Sequence, residues 1–200
     1  MNILLVGEEV SLIPVEEKWL DELLSFSANP LIWRHLPVEI YTPEDMHNWY
    51  KHTRQEADGG KIIPFLIQHT QSGEILGSTR IFEWDRSHRR AEVGFTWINP
   101  KWFGTKINSA VKLLLLDYAF NTLKLNRVQF RADERNIRSQ RAIEKLGATK
   151  EAVLRNYKFR RDGSIGNVIL YSIISLEWPA LSIRLKRKIL SMDKNYSETN

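Results

Sequence analysis

The spacing of apolar residues divides the N-terminal half of the chain into short strands and helices. Period-two alternation between turn residues predicts strands at residues 8–15, in two runs of residues 62–84 joined by QSGE as an antiparallel hairpin, and at residues 90–98. Helical spacing predicts a first helix within residues 16–29. A second helix is predicted from the N-cap Thr42 to about Ala57, because Pro43 and Asp45 match a helix start with a capping box.

The C-terminal half alternates between helices and strands. The helix after residue 106 has apolar positions three and four residues apart, at Ile107, Ala110, Val111, Leu114, Leu115 and Tyr118. The remaining predicted elements are a strand at 127–132, a helix from Asn136 to Leu146 closed by Gly147, a hairpin around Asp162 and Gly163, and a basic terminal helix before a polar tail. This order predicts one α/β (α+β) domain with a mixed, mostly antiparallel central sheet flanked by helices.

Composition narrows the class of protein. At 200 residues and 42% hydrophobic content, the chain is long enough for one sizeable core. It has no cysteine, which excludes disulfides, a thiolate zinc site and a cysteine nucleophile. The apolar run at the N-terminus lacks a basic flank, and no run approaches a membrane span, so we expect a cytoplasmic protein that does not enter membranes. The net charge of +5 favours an anionic partner.

The start of the helix in PKWFGTKINSAVKLLLLDYAF (residues 100–120) has no acidic residue in its first two turns. A helix N-terminus has unpaired N–H groups and a partial positive charge, which suit phosphate. Gly104 gives the chain room to turn, and Lys106 adds positive charge. The pattern therefore suggests a phosphate-bearing ligand, and it leaves open a simple strand-to-helix turn in which Gly104 serves geometry alone.

Two longer segments resemble a known superfamily. AEVGFTWINPKWFGTKINSAVKLLLLDYAF and LNRVQFRADERNIRSQRAIEKLGATKEAVLRNY are similar to the GNAT superfamily of acetyl-CoA-dependent N-acetyltransferases, within the branch of the ribosomal-protein N-terminal acetyltransferases. GEEVSLIPV and YSIISLEWP extend the resemblance over residues from about 7 to 178. It implies a GNAT domain over residues 1–178, followed by a basic helix and polar tail over 179–200.

The resemblance implies acetyl-CoA, or another acyl-CoA, as co-substrate. Its pyrophosphate is expected on the loop that matches the family's Q/R-x-x-G-x-G/A motif, formed by Phe103, Gly104, Thr105, Lys106, Ile107 and Asn108. Three positions depart from that motif. Phe103 stands where Gln or Arg is preferred, Lys106 replaces a glycine, and Asn108 replaces a small residue. Lys106 could contact phosphate, but if its position needed a positive φ, a lysine there would cost roughly 1 kcal/mol.

The third strand of the hairpin region provides a candidate general base. Glu92 is expected to share one face of the strand with Gly94 and Thr96, and the resemblance implies that the base, acting directly or through water, stands on this strand. The alternative is a solvated glutamate paired with Arg89 or Arg90. The resemblance also implies that a main-chain N–H near Trp97 or Ile98 donates to the thioester oxygen, and that the open strand edge pairs with the pantetheine amides.

The segment NIRSQRAIEKLG provides a candidate acid. Ile143 occupies the position where many GNAT enzymes have a tyrosine, whereas Ser139, one turn earlier, matches the serine that the ribosomal branch is thought to use for the leaving thiolate. The alternative is a serine that satisfies the helix N-terminus. Asn136 resembles the family asparagine that caps this helix and contacts the cofactor.

The acceptor remains open at this level. A protein N-terminus and a small amine both fit, and either a monomer or a homodimer is expected. No metal site is predicted, because the five histidines show no ligand spacing. Two other classes remain: an acyl-CoA-binding module with little turnover, favoured by the altered loop, and a nucleic-acid-binding protein that uses RLKRKIL. The second lacks a reading motif, so nucleic acid is not the expected partner.

Overall fold

The computed structural model describes residues 3–197, with side chains through residue 192. Its eight strands are β1 (Leu5–Val6), β2 (Val10–Ile13), β3 (Ile62–His69), β4 (Ile75–Asp85), β5 (Arg90–Ile98), β6 (Arg127–Asp133), β7 (Thr149–Phe159) and β8 (Ile165–Ile174). Its α-helices are α1 (Leu20–Ser27), α2 (Pro30–Trp33), α3 (Pro43–Asp58), α4 (Ile107–Asp117), α5 (Ile137–Leu146) and α6 (Trp178–Ser197). The last residues of the predicted polar tail, 198–200, lie outside the described part of the chain.

All eight strands form one sheet in the order β1-β2-β3-β4-β5-β6-β8-β7. Neighbouring strands run antiparallel except β5 and β6, which pair in parallel across the connection that contains α4. A parallel pair needs such a crossover, and a helix usually provides it. The predicted fold class, a mixed and mostly antiparallel sheet flanked by helices, is confirmed.

The helices cover the two faces of the sheet with separate hydrophobic clusters. One cluster joins α1–α3 to the sheet through residues such as Leu23, Trp33 and Met46. The larger cluster joins α4, α5 and α6 to the opposite face. Within it, Leu185 and Ile189 of α6 are buried against the same core as α4, so the basic terminal helix is packed on the domain.

Local rules read from the sequence account for the start of α3 and the end of α5. Thr42 accepts a hydrogen bond from the N–H of Asp45, whose carboxylate accepts one from the N–H of Thr42, so the predicted capping box starts α3. Gly147 ends α5 with φ of 94°, as predicted. The sequence did not indicate β1, the one-turn helix α2, or the π-helical turn that follows α4. Among the described residues, no helix is long and apolar enough to cross a membrane.

Candidate active site

A cleft opens where β5 and β6 stop pairing. The two strands are in register only over residues 90–92 of β5 and 127–129 of β6. Both strands continue beyond this point, β5 to Ile98 and β6 to Asp133. The cleft between them has a volume of about 930 Å³, and residues from both faces of the sheet line it. The divergence leaves strand edges whose N–H and C=O groups can pair with an extended ligand.

A bulge in β5 lies beside this opening. Gly94 is opposite Arg80 of β4, and Trp97 is opposite Ser78, so β5 uses one more residue than β4 over the same distance. Phe95 has a positive φ of 48°, an unusual conformation for a bulky side chain. The guanidinium of Arg80 lies 3.5 Å from the centroid of the Phe95 ring, which helps to hold the bulge.

The bulge corrects one prediction about the faces of β5. One extra residue moves every later side chain to the opposite face of the sheet. Ala91 and Val93 are buried on the α4 face, so Glu92 points away from α4. After the bulge, the hydroxyl of Thr96 contacts Lys112 of α4. The prediction that Glu92 and Thr96 share a face is therefore wrong.

Glu92 is a buried carboxylate held by two side chains of β6. It is only 4% exposed, and its Oε2 accepts hydrogen bonds from Nε of Arg131 at 2.6 Å and from Nε2 of Gln129 at 3.1 Å. Burial raises the pKa of the Glu92 carboxyl to about 7, against the opposing effect of Arg131 and Gln129. The alternative of a solvated glutamate paired with Arg89 or Arg90 is wrong, because the residue is buried and its partners lie on β6.

Arg131 also binds a second carboxylate at the more exposed side of the cleft. Its guanidinium donates to Glu83 and to the hydroxyl of Tyr157, and its centre lies 5.4 Å from the Tyr157 ring centroid. The side chain of Glu83 is 49% exposed, whereas that of Glu92 is 5% exposed. Two carboxylates thus share one guanidinium on the face away from α4. This excess of negative charge suits a cationic amine.

The edge of β5 that faces the gap presents main-chain groups of Ile98. Asn99 donates its N–H to the carbonyl of Leu76 on β4 at 2.7 Å. The carbonyl of Trp97 approaches Gly77 of β4 so closely that a Cβ there would lie 2.0 Å from it. Because main-chain groups alternate in direction along a strand, the N–H and C=O of Ile98 face the open edge. Of the two predicted positions, Ile98 therefore has the suitable orientation.

The start of α4 forms an anion-binding geometry at one end of the cleft. Gly104 has φ of 80°, and a Cβ there would meet nothing within 4 Å, so the glycine is needed for its backbone conformation. The hydroxyl of Thr105 accepts a hydrogen bond from the N–H of Ile107 at 3.3 Å. Within the described residues, the N–H groups of Asn108 and Ser109 have no acceptor. Such N–H groups suit phosphate oxygens.

Lys106 differs from the sequence-based expectation in two respects. Its φ is −67°, so the condition under which a lysine would be strained there, a positive φ, is not met. Its Nζ lies 2.7 Å from Oε1 of Glu9, in an ion pair with the turn before β2. The ammonium of Lys106 therefore helps to fix the loop to the N-terminal segment.

The N-terminus of α5 borders the cleft opposite α4. The Oδ1 of Asn136 accepts a hydrogen bond from the N–H of Ser139 at 3.1 Å, so Asn136 is the cap of this helix, as predicted. The hydroxyl of Ser139 has no partner among the described residues, and the half-buried side chain lines the cleft. Ile143, one turn later, is buried in the core. Capping therefore does not account for the hydroxyl of Ser139.

Lys112 is a buried amine that was not predicted as a site residue. It is 7% exposed, lines the cleft from α4, and donates from Nζ to Oγ1 of Thr96 at 2.6 Å. Thr96 in turn lies 2.8 Å from the hydroxyl of Thr79 on β4. Burial lowers the pKa of Lys112 to about 7. The available indication was a lysine within the apolar stripe of this helix.

Nine of the eleven predicted site residues line the cleft. They are Glu92, Trp97, Ile98, Phe103, Gly104, Thr105, Asn108, Asn136 and Ser139. Ile107 is buried in the core, and Lys106 pairs with Glu9. The residues that surround Glu92, namely Glu83, Gln129 and Arg131, were not predicted from the sequence, because their proximity depends on the pairing of distant strands. One cleft thus joins an anion-binding helix start, an open strand edge and a buried carboxylate.

Comparison with known proteins identifies this arrangement. The model of the Acetyltransferase (GNAT) domain matches residues 9–149. Among relatives, the chain is 29% identical over 167 residues to the "Putative ribosomal N-acetyltransferase YdaF" of Bacillus subtilis, covering 84% of each chain. It is 25% identical over 178 residues to the spermidine N(1)-acetyltransferase of Escherichia coli K12, covering 87% of this chain and 90% of the relative.

The fold is also that of solved acetyltransferases. A structure of Mycobacterium smegmatis RimJ in complex with CoA-disulfide superposes with a TM-score of 0.78 at 22% identity, covering 92% of each chain. The matched family model and the N-acetyltransferase relatives define an acyltransferase. The chain belongs to the family of GNAT acetyltransferase domains, and its relatives are consistent with the predicted ribosomal-protein acetyltransferase-like branch. The division into a domain of residues 1–178 and a terminal segment of 179–200 stays a prediction.

Proposed function

We propose that this enzyme transfers an acetyl group from acetyl-CoA to a primary amine by direct attack within a ternary complex. The observation that most supports the proposal is that Glu92 is buried in the same cleft as the anion-binding start of α4. Acetyl-CoA supplies an acetyl group activated as a thioester. The residues of the chain must bind this substrate, present the amine, and move two protons.

The start of α4 fits the pyrophosphate of this substrate. The N–H groups of Asn108 and Ser109 lack acceptors among the described residues, and Gly104 allows close approach of the main chain. Phe103, Thr105 and Asn136 line the adjoining wall of the cleft. From this seat, the open edge of β5 leads toward Glu92. The main-chain N–H of Ile98 is the proposed donor to the thioester oxygen.

Glu92 is the proposed general base. A base works best when its pKa is close to the operating pH, and burial raises the pKa of Glu92 to about 7. Arg131 and Gln129 fix the orientation of the carboxylate. Glu83, on the exposed side of Arg131, adds negative charge that attracts an ammonium toward the cleft. Glu92 takes the proton from the amine, directly or through a water molecule.

Ser139 is the proposed donor to the departing thiolate, and its hydroxyl regains the proton from water in the cleft. Its side chain lines the cleft, and its hydroxyl is not needed as the helix cap because Asn136 fills that role. Ile143 is buried and has no proton to donate. A hydroxyl at the N-terminus of α5 also benefits from the positive end of the helix.

The acceptor class is either a protein N-terminus or a small amine. A ribosomal N-acetyltransferase and a spermidine N(1)-acetyltransferase are both similar to this chain, by the names of those relatives. The carboxylates of Glu83 and Glu92 suit the ammonium of either acceptor. A panel of N-terminal peptides, polyamines and amino acids distinguishes them by the ratio kcat/KM.

The direct experiment measures release of free thiol from acetyl-CoA, with and without each amine, and identifies the acetylated product by its mass. We expect thiol release that depends on the amine and equals the yield of acetylated product. The competing function is an acyl-CoA-binding module, which the departures of the loop from the family motif favour. Tight CoA binding by calorimetry, without thiol release for any amine, would support that module and contradict the enzyme.

A further inference from the structure

One face of α5 carries three basic side chains along the cleft. Arg138, Arg141 and Lys145 are three and four residues apart, so they project from the same side of the helix. All three line the cleft and are exposed to solvent. At the start of this row, the Arg138 guanidinium lies 4.0 Å from the ring centroid of Phe103 in the loop before α4. The row therefore begins beside the proposed pyrophosphate seat.

The terminal helix α6 adds a fourth cation to this wall. Lys188 is half-buried and lines the same cleft, although it lies outside the matched family domain of residues 9–149. Burial lowers the pKa of the Lys188 amine, and the positive charges of Lys145 and Arg184 lower it further. Lys188 and Arg184 of α6 and Lys145 of α5 thus repel one another across the gap between the two helices. A bound anion relieves such repulsion.

These cations have no acidic partners within the part of the chain that the structure describes. Several other basic side chains of the domain do pair with carboxylates, for example Arg127 with Glu151 and Arg160 with Asp133. By contrast, no ion pair among the described residues involves Arg138, Arg141, Lys145 or Lys188. A row of unpaired cations along a cleft is suited to a polyanionic ligand.

We propose that the basic wall formed by Arg138, Arg141, Lys145 and Lys188 binds the 3′-phosphate of CoA, so that α6 completes the cofactor site. This inference rests on the proposed function. The start of α4 offers N–H groups for the pyrophosphate, whereas the 3′-phosphate is a separate dianion that needs its own cations. The wall also gives a role to one lysine of the basic terminal helix, because Lys188 lines the cleft. Lys186, two residues earlier, is exposed and is not part of the cleft lining.

The test compares the binding of CoA with that of 3′-dephospho-CoA by calorimetry. The variants are Lys188→Ala and Arg141→Ala, with Lys186→Ala as a matched control on α6, and a thermal melt checks folding. We expect wild type to bind CoA about tenfold or more tightly than dephospho-CoA, from charge-assisted contacts. Lys188→Ala and Arg141→Ala should each weaken CoA binding several-fold, roughly the value of one partly exposed contact, and leave dephospho-CoA binding unchanged. Lys186→Ala should match wild type.

Four outcomes overturn the inference. Equal affinity of wild type for both ligands places the 3′-phosphate in solvent. Equal losses for both ligands in Lys188→Ala assign the lysine a structural role. Binding of RNA in preference to CoA, with the same dependence on Lys188, assigns the wall to nucleic acid. Failure of wild type to bind either CoA or dephospho-CoA contradicts the proposed function as well, which separates that failure from the others.

Discussion

Replacing Lys112 with methionine should change how the stability of the protein depends on pH. Lys112 is 7% exposed, and its Nζ donates to the hydroxyl of Thr96 at 2.6 Å, with no ion pair among the described residues. Burial lowers the pKa of this amine to about 7. Methionine keeps a side chain of similar length and removes the amine. The difference between the two proteins therefore reports the amine alone.

The direction of the effect follows from the difference between the pKa of the Lys112 amine in the folded state and its pKa in the unfolded state. In the unfolded chain, the amine of Lys112 stays protonated to about pH 10, whereas the folded protein releases the proton near the pKa of about 7. Between these values the unfolded state binds more protons, so the free energy of unfolding of wild type rises with pH. One proton contributes at most about 1.4 kcal/mol per pH unit. Between about pH 7 and pH 9, wild type should gain roughly 2 kcal/mol relative to Lys112→Met.

Urea unfolding between about pH 6 and pH 9 measures this change. The series includes Lys61→Met, which removes an exposed lysine and should follow wild type. We expect Lys112→Met to be the more stable protein at the acid end and to lose that advantage as the pH rises. A difference between wild type and Lys112→Met that does not change with pH would refute the argument from burial.

Two further variants test the proposed pyrophosphate site at the start of α4 and the proposed proton donor Ser139. Gly104→Val should weaken CoA binding several-fold in a protein that still folds, because valine is strained at φ of 80° although the site has space for it. Unchanged affinity by calorimetry would contradict the placement of the pyrophosphate. Ser139→Ala should lower kcat without recovery at high pH, since the missing group is an acid, and by less than the loss of the base, because a thiolate leaves readily. A kcat equal to that of wild type would remove Ser139 from the mechanism.

Much of the fold was predictable because its rules are local. The capping box of Thr42 and Asp45 starts α3, and Gly147 ends α5, each through contacts within a few residues of the chain. The hairpin of β3 and β4 follows from alternation and a turn. By contrast, the two-residue strand β1 exists only through its pairing with β2, which no local pattern indicates.

The parts of the site that escaped prediction depend on non-local structure. At the bulge, Phe95 has a positive φ, which is unusual for a bulky residue and which no local pattern in the sequence indicates. The bulge moves Thr96 to the face opposite Glu92. The contact between Glu92 and Arg131 requires β5 and β6 to be neighbours across a crossover. The position of Glu92 on its strand was available from the sequence, but its burial and its partners were not.

The role of Glu92 as the base is the central claim, and the dependence of kcat on pH in Glu92→Gln tests it most directly. Glu83→Gln serves as a control for the other carboxylate on Arg131, and calorimetry checks that CoA affinity is unchanged. Wild-type kcat should rise through a limb near pH 7, the pKa of Glu92. Glu92→Gln should lose that limb, fall by roughly 10²-fold near neutral pH, and partly recover as free amine becomes abundant. A Glu92→Gln enzyme as active as wild type near neutral pH would contradict the account and leave the base unidentified.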